Sequence, residues 1–179
     1  MNIKNTFGRV AGIVAAAVAI AGLGMAGTAS ASTASPATVV RGCSIETING
    51  HYLTAVGGGG RTTDVIHTDA VRVGSWEKFS VVFSNAGAHV YGFQTVNGHY
   101  LTAVGGGGRT TDVIHSDAPW LRGWEEFTLH YLGNGQYSIE TINGHYLTAV
   151  GGGGRITDTI HSDATRVGSW EKFRISCSG

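Results

Sequence analysis

The sequence is poor in charge, proline and cysteine, and each shortage excludes a class of protein. Lys plus Arg and Asp plus Glu number 12 each among 179 residues, so the formal net charge is zero. A chain without net positive charge is not drawn to nucleic acid or to an anionic membrane surface. With only two prolines, it is not of the Pro-rich disordered kind. The 29 glycines and 13% charged residues instead favour short strands joined by tight turns.

The one long apolar run lies at the N-terminus, where it has the layout of a secretory signal peptide. Lys4 and Arg9 precede an alanine-rich segment at 10–25, and small residues follow as far as Ala31. The run is short for a membrane span and no stop-transfer charges follow it, so we predict cleavage after Ala31 rather than an uncleaved anchor. The predicted divisions are a signal peptide at 1–31, a flexible leader at 32–38 and a single folded domain at 39–179 in a secreted, extracellular protein.

Two cysteines lie at opposite ends of the predicted domain. Cys43 falls in its first strand and Cys177 in its last, and secretion exposes both to oxidising conditions. We predict a disulfide between them, with two free buried thiols as the alternative. The sequence contains no C-x-x-C spacing, so neither a zinc ribbon nor a thioredoxin-type redox site is available.

One segment occurs three times and decides the architecture. It spans 44–79, 92–127 and 138–173, within repeats at about 43–90, 91–136 and 137–179. Side chains alternate with period two rather than 3.6, which predicts strands. The strands predicted in the first copy are 44–48, 52–56, 64–67 and 78–83, and the other copies repeat them.

An Asn-Gly pair separates the first two predicted strands of each copy, beginning with Asn49-Gly50. We predict a hairpin with a type I′ turn there, which needs positive φ at both central residues. A unit of four short strands cannot bury its apolar face alone, so the three copies must associate. Threefold closure of such units is a β-trefoil; a small propeller is the alternative. We expect central layers of Leu53, Leu101, Leu147, Phe79, Phe127 and Phe173, with Trp76, Trp124 and Trp170 at the edge of the core.

Polar motifs recur in every copy and are the candidate binding residues. The glycine run 57–60 ends in Arg61, and it is either a wide turn or an open backbone face for a flat ligand. His67 and Asp69 alternate along a strand end, so they either bond adjacent hydroxyls of one sugar or merely cap a turn. We expect Glu77 and its counterparts Glu125 and Glu171 to be structural, accepting bonds from backbone donors.

Other kinds of site receive little support. The glycine runs lead into strands and lack the Lys-Ser/Thr of a phosphate loop, and metal binding needs more ligands than each stretch supplies. No nucleophile constellation stands out, so we expect neither an enzyme nor a cofactor or metal. Outside the repeat frame, Trp120 either stacks on a sugar or covers apolar surface.

The motif G-x-Y-L-T-A, a glycine turn and a closing W-E-x-F resemble the fascin-like β-trefoil proteins over the whole mature chain. The order Gly-Gly, Thr/Asp, Ile-His-x-Asp is also similar to the mussel-type β-trefoil galactose-binding lectins. That resemblance implies sugar contacts at Gly57, Gly58, His67, Asp69, Gly105, Gly106, His115, Asp117, Gly151, Gly152, His161 and Asp163. The chain departs from the lectin pattern at Thr54, Thr102, Thr148 and at Val71, Pro119, Thr165, where those lectins have histidines.

We therefore expect a secreted, multivalent, non-catalytic lectin with three similar shallow sites and glycans or polysaccharides as partners. Arg61, Arg109 and Arg155 are expected as donors at the rims of these sites. The alternative is a protein-interaction module, such as a secreted inhibitor or a filament-binding relative of fascin, working through a non-repeated surface. We expect no nucleic acid partner and no membrane insertion after cleavage, and the sequence leaves the glycan and the oligomeric state open.

Overall fold

The computed structural model describes residues 38–84 and 86–178, and its regular structure is twelve short strands with four one-turn 3-10 helices. The strands are β1 Val39–Glu46, β2 Tyr52–Ala55, β3 Ile66–Ala70, β4 Phe79–Phe83, β5 Val90–Gln94, β6 Tyr100–Ala103, β7 Ile114–Ala118, β8 Phe127–Gly133, β9 Gln136–Thr141, β10 Tyr146–Ala149, β11 Ile160–Ala164 and β12 Phe173–Cys177. The 3-10 helices are Val56–Gly58, Val104–Gly106, Gly123–Glu125 and Val150–Gly152. Within these two described ranges, no helix is long and apolar enough to cross a membrane. The predicted signal peptide and its cleavage site lie outside the described residues.

Six of the strands pair into a closed antiparallel ring. Its order is β1, β4, β5, β8, β9 and β12, and β12 pairs back onto β1. The other six strands form three hairpins, β2–β3, β6–β7 and β10–β11. Each repeat therefore supplies two ring strands and one hairpin, which is the predicted β-trefoil. Because neighbouring repeats share one ring instead of forming separate four-stranded blades, the propeller alternative is excluded.

The terminal strands β1 and β12 close this ring, and a disulfide holds them together. Cys43 lies directly opposite Cys177 in the register, and the two sulfurs are bonded, which confirms the predicted pairing. The bond joins residues 134 positions apart. In the chain-entropy model, closing so long a loop stabilises the fold by roughly 4–5 kcal/mol.

The ring encloses one buried cluster built from alternate residues of the strands. The leucines and phenylalanines expected at the centre are all in it, and each is at most 4% exposed. This confirms the prediction made from the period-two pattern. Trp76, Trp124 and Trp170 are about half exposed, at 47%, 53% and 47%, and lie outside the buried cluster. These tryptophans thus form part of the protein surface rather than of the core.

Two local predictions are wrong. The third strand runs over Ile66–Ala70 instead of 64–67, because Asp64 has φ of 49° and a left-handed residue cannot continue a strand. The Asn-Gly turns are not type I′, since Gly50 has positive φ but Asn49 does not. The amide of Asn49 is instead committed to a bond with the Gly151 carbonyl of another repeat.

Candidate functional site

The glycine runs act first as packing elements between repeats. All four residues 57–60 have positive φ, between 69° and 97°. A Cβ on Gly59 would lie 2.3 Å from Oγ1 of Thr95, and one on Gly58 would lie 2.9 Å from Cγ1 of Val96. Gly58 is buried, so its missing side chain is explained by contact with the next repeat. The open-face interpretation fits the exposed Gly57 and not Gly58.

Hydrogen bonds extend this contact around the molecule. The Asn97 backbone N–H donates to the Gly58 carbonyl at 3.1 Å, and Asn97 Nδ2 donates to the Gly57 carbonyl at 3.0 Å. Asn143 bonds in the same way to Gly105 and Gly106, and Asn49 to Gly151 and Gly152. The glycine run of each repeat therefore binds the Asn-Gly turn of the next repeat, and the glycine run of the third repeat binds the turn of the first.

The His-x-Asp triplets are held by the same contacts. Ser116 is fully buried; its N–H donates to the Arg61 carbonyl at 2.8 Å and its carbonyl accepts from Gly60 N–H at 2.7 Å. On the other side, His115 pairs with Thr102 in the β6–β7 hairpin. Each triplet thus lies between its own hairpin partner and the loop of another repeat, which fixes its position.

The outer residues of each triplet point away from the core. In β3, Ile66 and Thr68 are buried, His67 is a quarter exposed and Asp69 is exposed. His67 and Asp69 therefore share the outward face, as predicted, although the triplet lies within the strand rather than at its end. The same burial pattern recurs in β7 and β11, so His115, Asp117, His161 and Asp163 are placed alike.

Asp64, which recurs in every copy but was not among the predicted ligand-binding residues, connects the arginine to the histidine. Nε2 of His67 lies 2.7 Å from Asp64 Oδ1, and Nη2 of Arg61 donates to Asp64 Oδ2 at 3.4 Å. Asp112 joins Arg109 and His115, and Asp158 joins Arg155 and His161, at distances within 0.1 Å of these. The signal available in the sequence was its recurrence three residues before each histidine.

The hydrogen bond to Asp64 fixes which atoms the cluster offers to a ligand. A carboxylate only accepts, so Nε2 of His67 carries the proton and Nδ1 of a neutral ring is an acceptor. Asp69 adds two acceptor oxygens, and the Arg61 guanidinium, 40% exposed, adds N–H donors. The charges of Arg61 and Asp64 offset each other, so the net charge of the first cluster is the negative charge of Asp69. Asp117 and Asp163 have the same effect in the other two. Such a surface matches a neutral ligand rich in hydroxyl groups.

The three clusters border a common depression where the repeats meet. Its volume is about 630 Å³, and its walls are residues 62–66, 110–114 and 156–160, which include the three bridging aspartates. Threonines line much of this wall. Sequence reasoning could not find the depression, because its walls come together only when the ring closes.

Glu77 is structural, as predicted. It is 8% exposed, its Oε1 accepts from Thr54 Oγ1 at 2.7 Å and its Oε2 accepts from Gly74 N–H at 2.7 Å. Glu125 and Glu171 accept equivalent bonds in the other repeats. These carboxylates fasten the hairpin to the turn before the fourth strand. Within residues 38–84 and 86–178, no three His, Cys, Asp or Glu side chains are grouped to hold a metal ion.

The closed ring, the three hairpins and the threefold repetition of one polar cluster define a β-trefoil protein. Known structures share this fold with the chain at low sequence identity. A designed threefold-symmetric protein, ThreeFoil, matches with a TM-score of 0.63 and 11% identity over 76% of this chain and 96% of its own. The Rhizoctonia solani agglutinin matches with a TM-score of 0.62 and 13% identity over 83% of this chain and 100% of its own.

A third structure, SeviL bound to asialo-GM1 saccharide, matches with a TM-score of 0.58 and 12% identity over 78% of this chain and 99% of its own. No protein-family model and no curated protein sequence matches this chain. At 10–13% identity these likenesses establish the fold. The resemblance to the fascin-like proteins stays a prediction.

Proposed function

We propose that the chain is a secreted, non-catalytic carbohydrate-binding protein with three similar shallow sites. The observation that carries the proposal is the outward cluster of Arg61, Asp64 and His67, whose hydrogen bonds are repeated in all three copies. Each copy presents donors and acceptors on a rigid strand face, which is what recognition of sugar hydroxyls requires. Likeness in fold to an agglutinin and to a saccharide-bound protein supports the same proposal.

Three similar sites on one rigid molecule favour surfaces that display many copies of a glycan. One shallow site with few contacts binds weakly, because little area is buried and each hydrogen bond replaces one to water. Simultaneous engagement of two or three sites raises the overall affinity by roughly 10²–10⁴ without any new contact. We therefore expect strong retention on a polysaccharide and weak binding of the isolated monosaccharide.

A glycan array together with binding to insoluble polysaccharides tests this function. We expect residues 32–179 to bind at least one glycan class and the triple variant Asp69→Asn/Asp117→Asn/Asp163→Asn to lose most of that binding. These carboxylates are exposed, so the variant should unfold at the same temperature as the original protein. Arg41→Gln, which removes an exposed charge before the first repeated segment, is the control and should bind normally. Absence of binding to every glycan and polysaccharide would overturn the proposal.

A further inference from the structure

A surface loop of the second repeat differs from its counterparts in the other two. After the His-x-Asp triplet the first and third copies read Val71-Arg72-Val73-Gly74 and Thr165-Arg166-Val167-Gly168, whereas the second reads Pro119-Trp120-Leu121-Arg122. Trp120 therefore stands where the other copies have an exposed arginine. It follows Asp117, the outward acceptor of β7, by three residues. A large aromatic group is thus added three residues after one His-x-Asp triplet and not after the other two.

A second exchange in the same repeat makes room for this loop. The first and third copies have Ser44 and Ser138 where the second has Gly92. A Cβ on Gly92 would lie only 2.4 Å from Cδ1 of Leu121 and 3.1 Å from the Tyr100 ring. The larger Leu121 side chain therefore occupies space that the missing serine side chain leaves. The two exchanges compensate for each other, and together they fasten the loop to β5.

Further contacts fix the other end of the loop. The Arg122 N–H donates to Glu125 Oε2 at 3.2 Å, and Glu125 Oε1 accepts from Thr102 at 2.8 Å. Residues Gly123–Glu125 form a 3-10 turn, in which the Glu125 N–H donates to the Arg122 carbonyl at 2.7 Å and the Glu126 N–H to the Gly123 carbonyl at 3.2 Å; the other repeats keep the counterpart of the second bond, from Lys78 to Ser75 and from Lys172 to Ser169. Pro119 restricts its own φ and the backbone of the residue before it. Trp120 is thus presented from a loop that is held on both sides.

Trp120 is nevertheless 66% exposed, more than Trp76, Trp124 or Trp170. Leu121 and Arg122, which follow it directly, are held by the contacts described above, and the indole itself lies at the surface. A rigid, exposed indole loses little conformational entropy when a ligand covers it, so it is well suited to anchor a binding site. The apolar C–H face of a pyranose ring is a flat partner of matching size for stacking on an indole.

The charges around this site narrow the class of sugar. In this stretch of the second repeat, Trp120 replaces Arg72, Glu126 replaces Lys78 and Arg122 replaces Gly74, so one cation fewer is present than in the first repeat and one anion more. A carboxylated or sulfated sugar that stacked on Trp120 and approached Asp117 would face that carboxylate without the arginine that the other repeats carry at the position of Trp120. A neutral sugar meets no such repulsion.

We propose that the second repeat is the principal binding site and that Trp120 is its stacking platform for a neutral hexopyranose. His115 and Asp117 bind hydroxyl groups of the same sugar ring. The proposal rests on the carbohydrate-binding function proposed above, and it makes the three sites unequal. The first and third sites, which carry Arg72 and Arg166 in place of the indole, contribute mainly through avidity.

Calorimetric titration and tryptophan fluorescence with methyl β-D-galactopyranoside and methyl β-D-glucopyranoside test the proposal. Residues 32–179 should show one site per chain that is about tenfold tighter than the rest, with a change in fluorescence. Trp120→Arg, which gives the second repeat the residue of the other two, should remove that site and the fluorescence change. Trp120→Phe should restore part of the affinity, because it restores a ring.

Matched histidine variants show whether the indole and the polar cluster act on one ligand. His115→Ala should weaken the tight site about tenfold, whereas the equivalent His67→Ala should leave it unchanged. The Trp120 variants should unfold at the temperature of the original, since Trp120 is exposed. His115→Ala and His67→Ala each lose one equivalent hydrogen bond to an aspartate, so their unfolding temperatures should match each other. Full affinity in Trp120→Arg, equal effects of His115→Ala and His67→Ala, or binding of acidic sugars only would overturn this inference and leave the proposed function standing. Failure of the original protein to bind any sugar would overturn both.

Discussion

At the residue scale, glycines of the same run have different structural roles. Gly57 and Gly59 both have positive φ, at 69° and 97°, but only Gly59 lies against a neighbour. A Cβ on Gly57 would meet nothing closer than the Arg61 side chain at 3.8 Å. The run thus combines a seam residue that admits no side chain with a surface residue that admits one under strain.

We expect Gly59→Ala to destabilise the protein by about 3 kcal/mol or more, because its Cβ would overlap Thr95 and the backbone would have to shift. Gly57→Ala should cost only about 1 kcal/mol, which is the penalty of a left-handed alanine. Urea unfolding of the two variants measures the difference. Equal losses for both would show that backbone strain alone explains the glycines.

Two buried tyrosines should make the fold sensitive to alkali. Burial raises the pKa of Tyr91, and burial followed by the charges of Tyr131 and Tyr91 raises that of Tyr137. The folded protein therefore keeps these protons above pH 10, where tyrosines of the unfolded chain ionise. The free energy of unfolding should be unaffected by them below that pH and should fall as pH rises further.

An ultraviolet titration of tyrosinate, repeated on Tyr137→Phe, checks this expectation. The original protein should show late-titrating tyrosines whose ionisation coincides with alkaline unfolding. The variant should lose one late group. Ionisation of all tyrosines near pH 10 without any change in stability would contradict the role of burial.

At the element scale, the sequence was a good guide to strands and a poor guide to turns. Period-two alternation placed Leu53 and Phe79 correctly in the core, because it depends on burial alone. It could not place the start of the third strand, since the left-handed φ of Asp64 comes from a bend stabilised by Arg61 and His67. The hairpin at Asn49 was predicted correctly and only its turn type was wrong. The Asn49 side chain bonds to the Gly151 carbonyl of another repeat, a contact that the local dipeptide does not indicate.

The buried carboxylate of each repeat joins two elements, and its loss should be costly. Glu77→Ala would leave the Thr54 hydroxyl and the Gly74 N–H without their acceptor. We expect a loss of about 3 kcal/mol, since two donors lose a charged acceptor in a buried place. Denaturant unfolding measures this loss, with Lys78→Ala at the adjacent exposed position as a control within about 0.5 kcal/mol. A loss no greater than that of the control would show that the carboxylate does not fasten the hairpin.

At the scale of the whole molecule, threefold closure produces features that no single repeat contains. Repetition in the sequence predicted the trefoil ring, the positions of Cys43 and Cys177 predicted the disulfide, and period-two alternation predicted that His67 and Asp69 share a face. The shared depression and the seam between Ser116 and Arg61 could not be predicted, because their residues are distant in sequence. The same limit applies to the fit of Leu121 against Gly92, which joins two elements of the second repeat.

The disulfide should stabilise the closed ring without creating it. Cys43→Ser/Cys177→Ser removes the cross-link between β1 and β12 while the other ring pairings stay in place. We expect the free energy of unfolding to fall by about 2–5 kcal/mol with near-native circular dichroism at low temperature. Thermal unfolding of the variant beside the oxidised protein measures the change. An unchanged midpoint would contradict the expected contribution of loop closure.

Sugar binding as proposed requires that the outward histidines contact the sugar and that the histidines at the repeat seams do not. His51, His99 and His145 pack against Gly154, Gly60 and Gly108 of other repeats and provide an internal reference. The most direct measurement is the side-chain NMR spectrum of the eight histidines during titration with the glycan that the array identifies. We predict that the signal of His115 moves first, those of His67 and His161 follow at higher concentration, and the seam histidines stay in place. Binding that leaves His67, His115 and His161 unmoved would contradict the account.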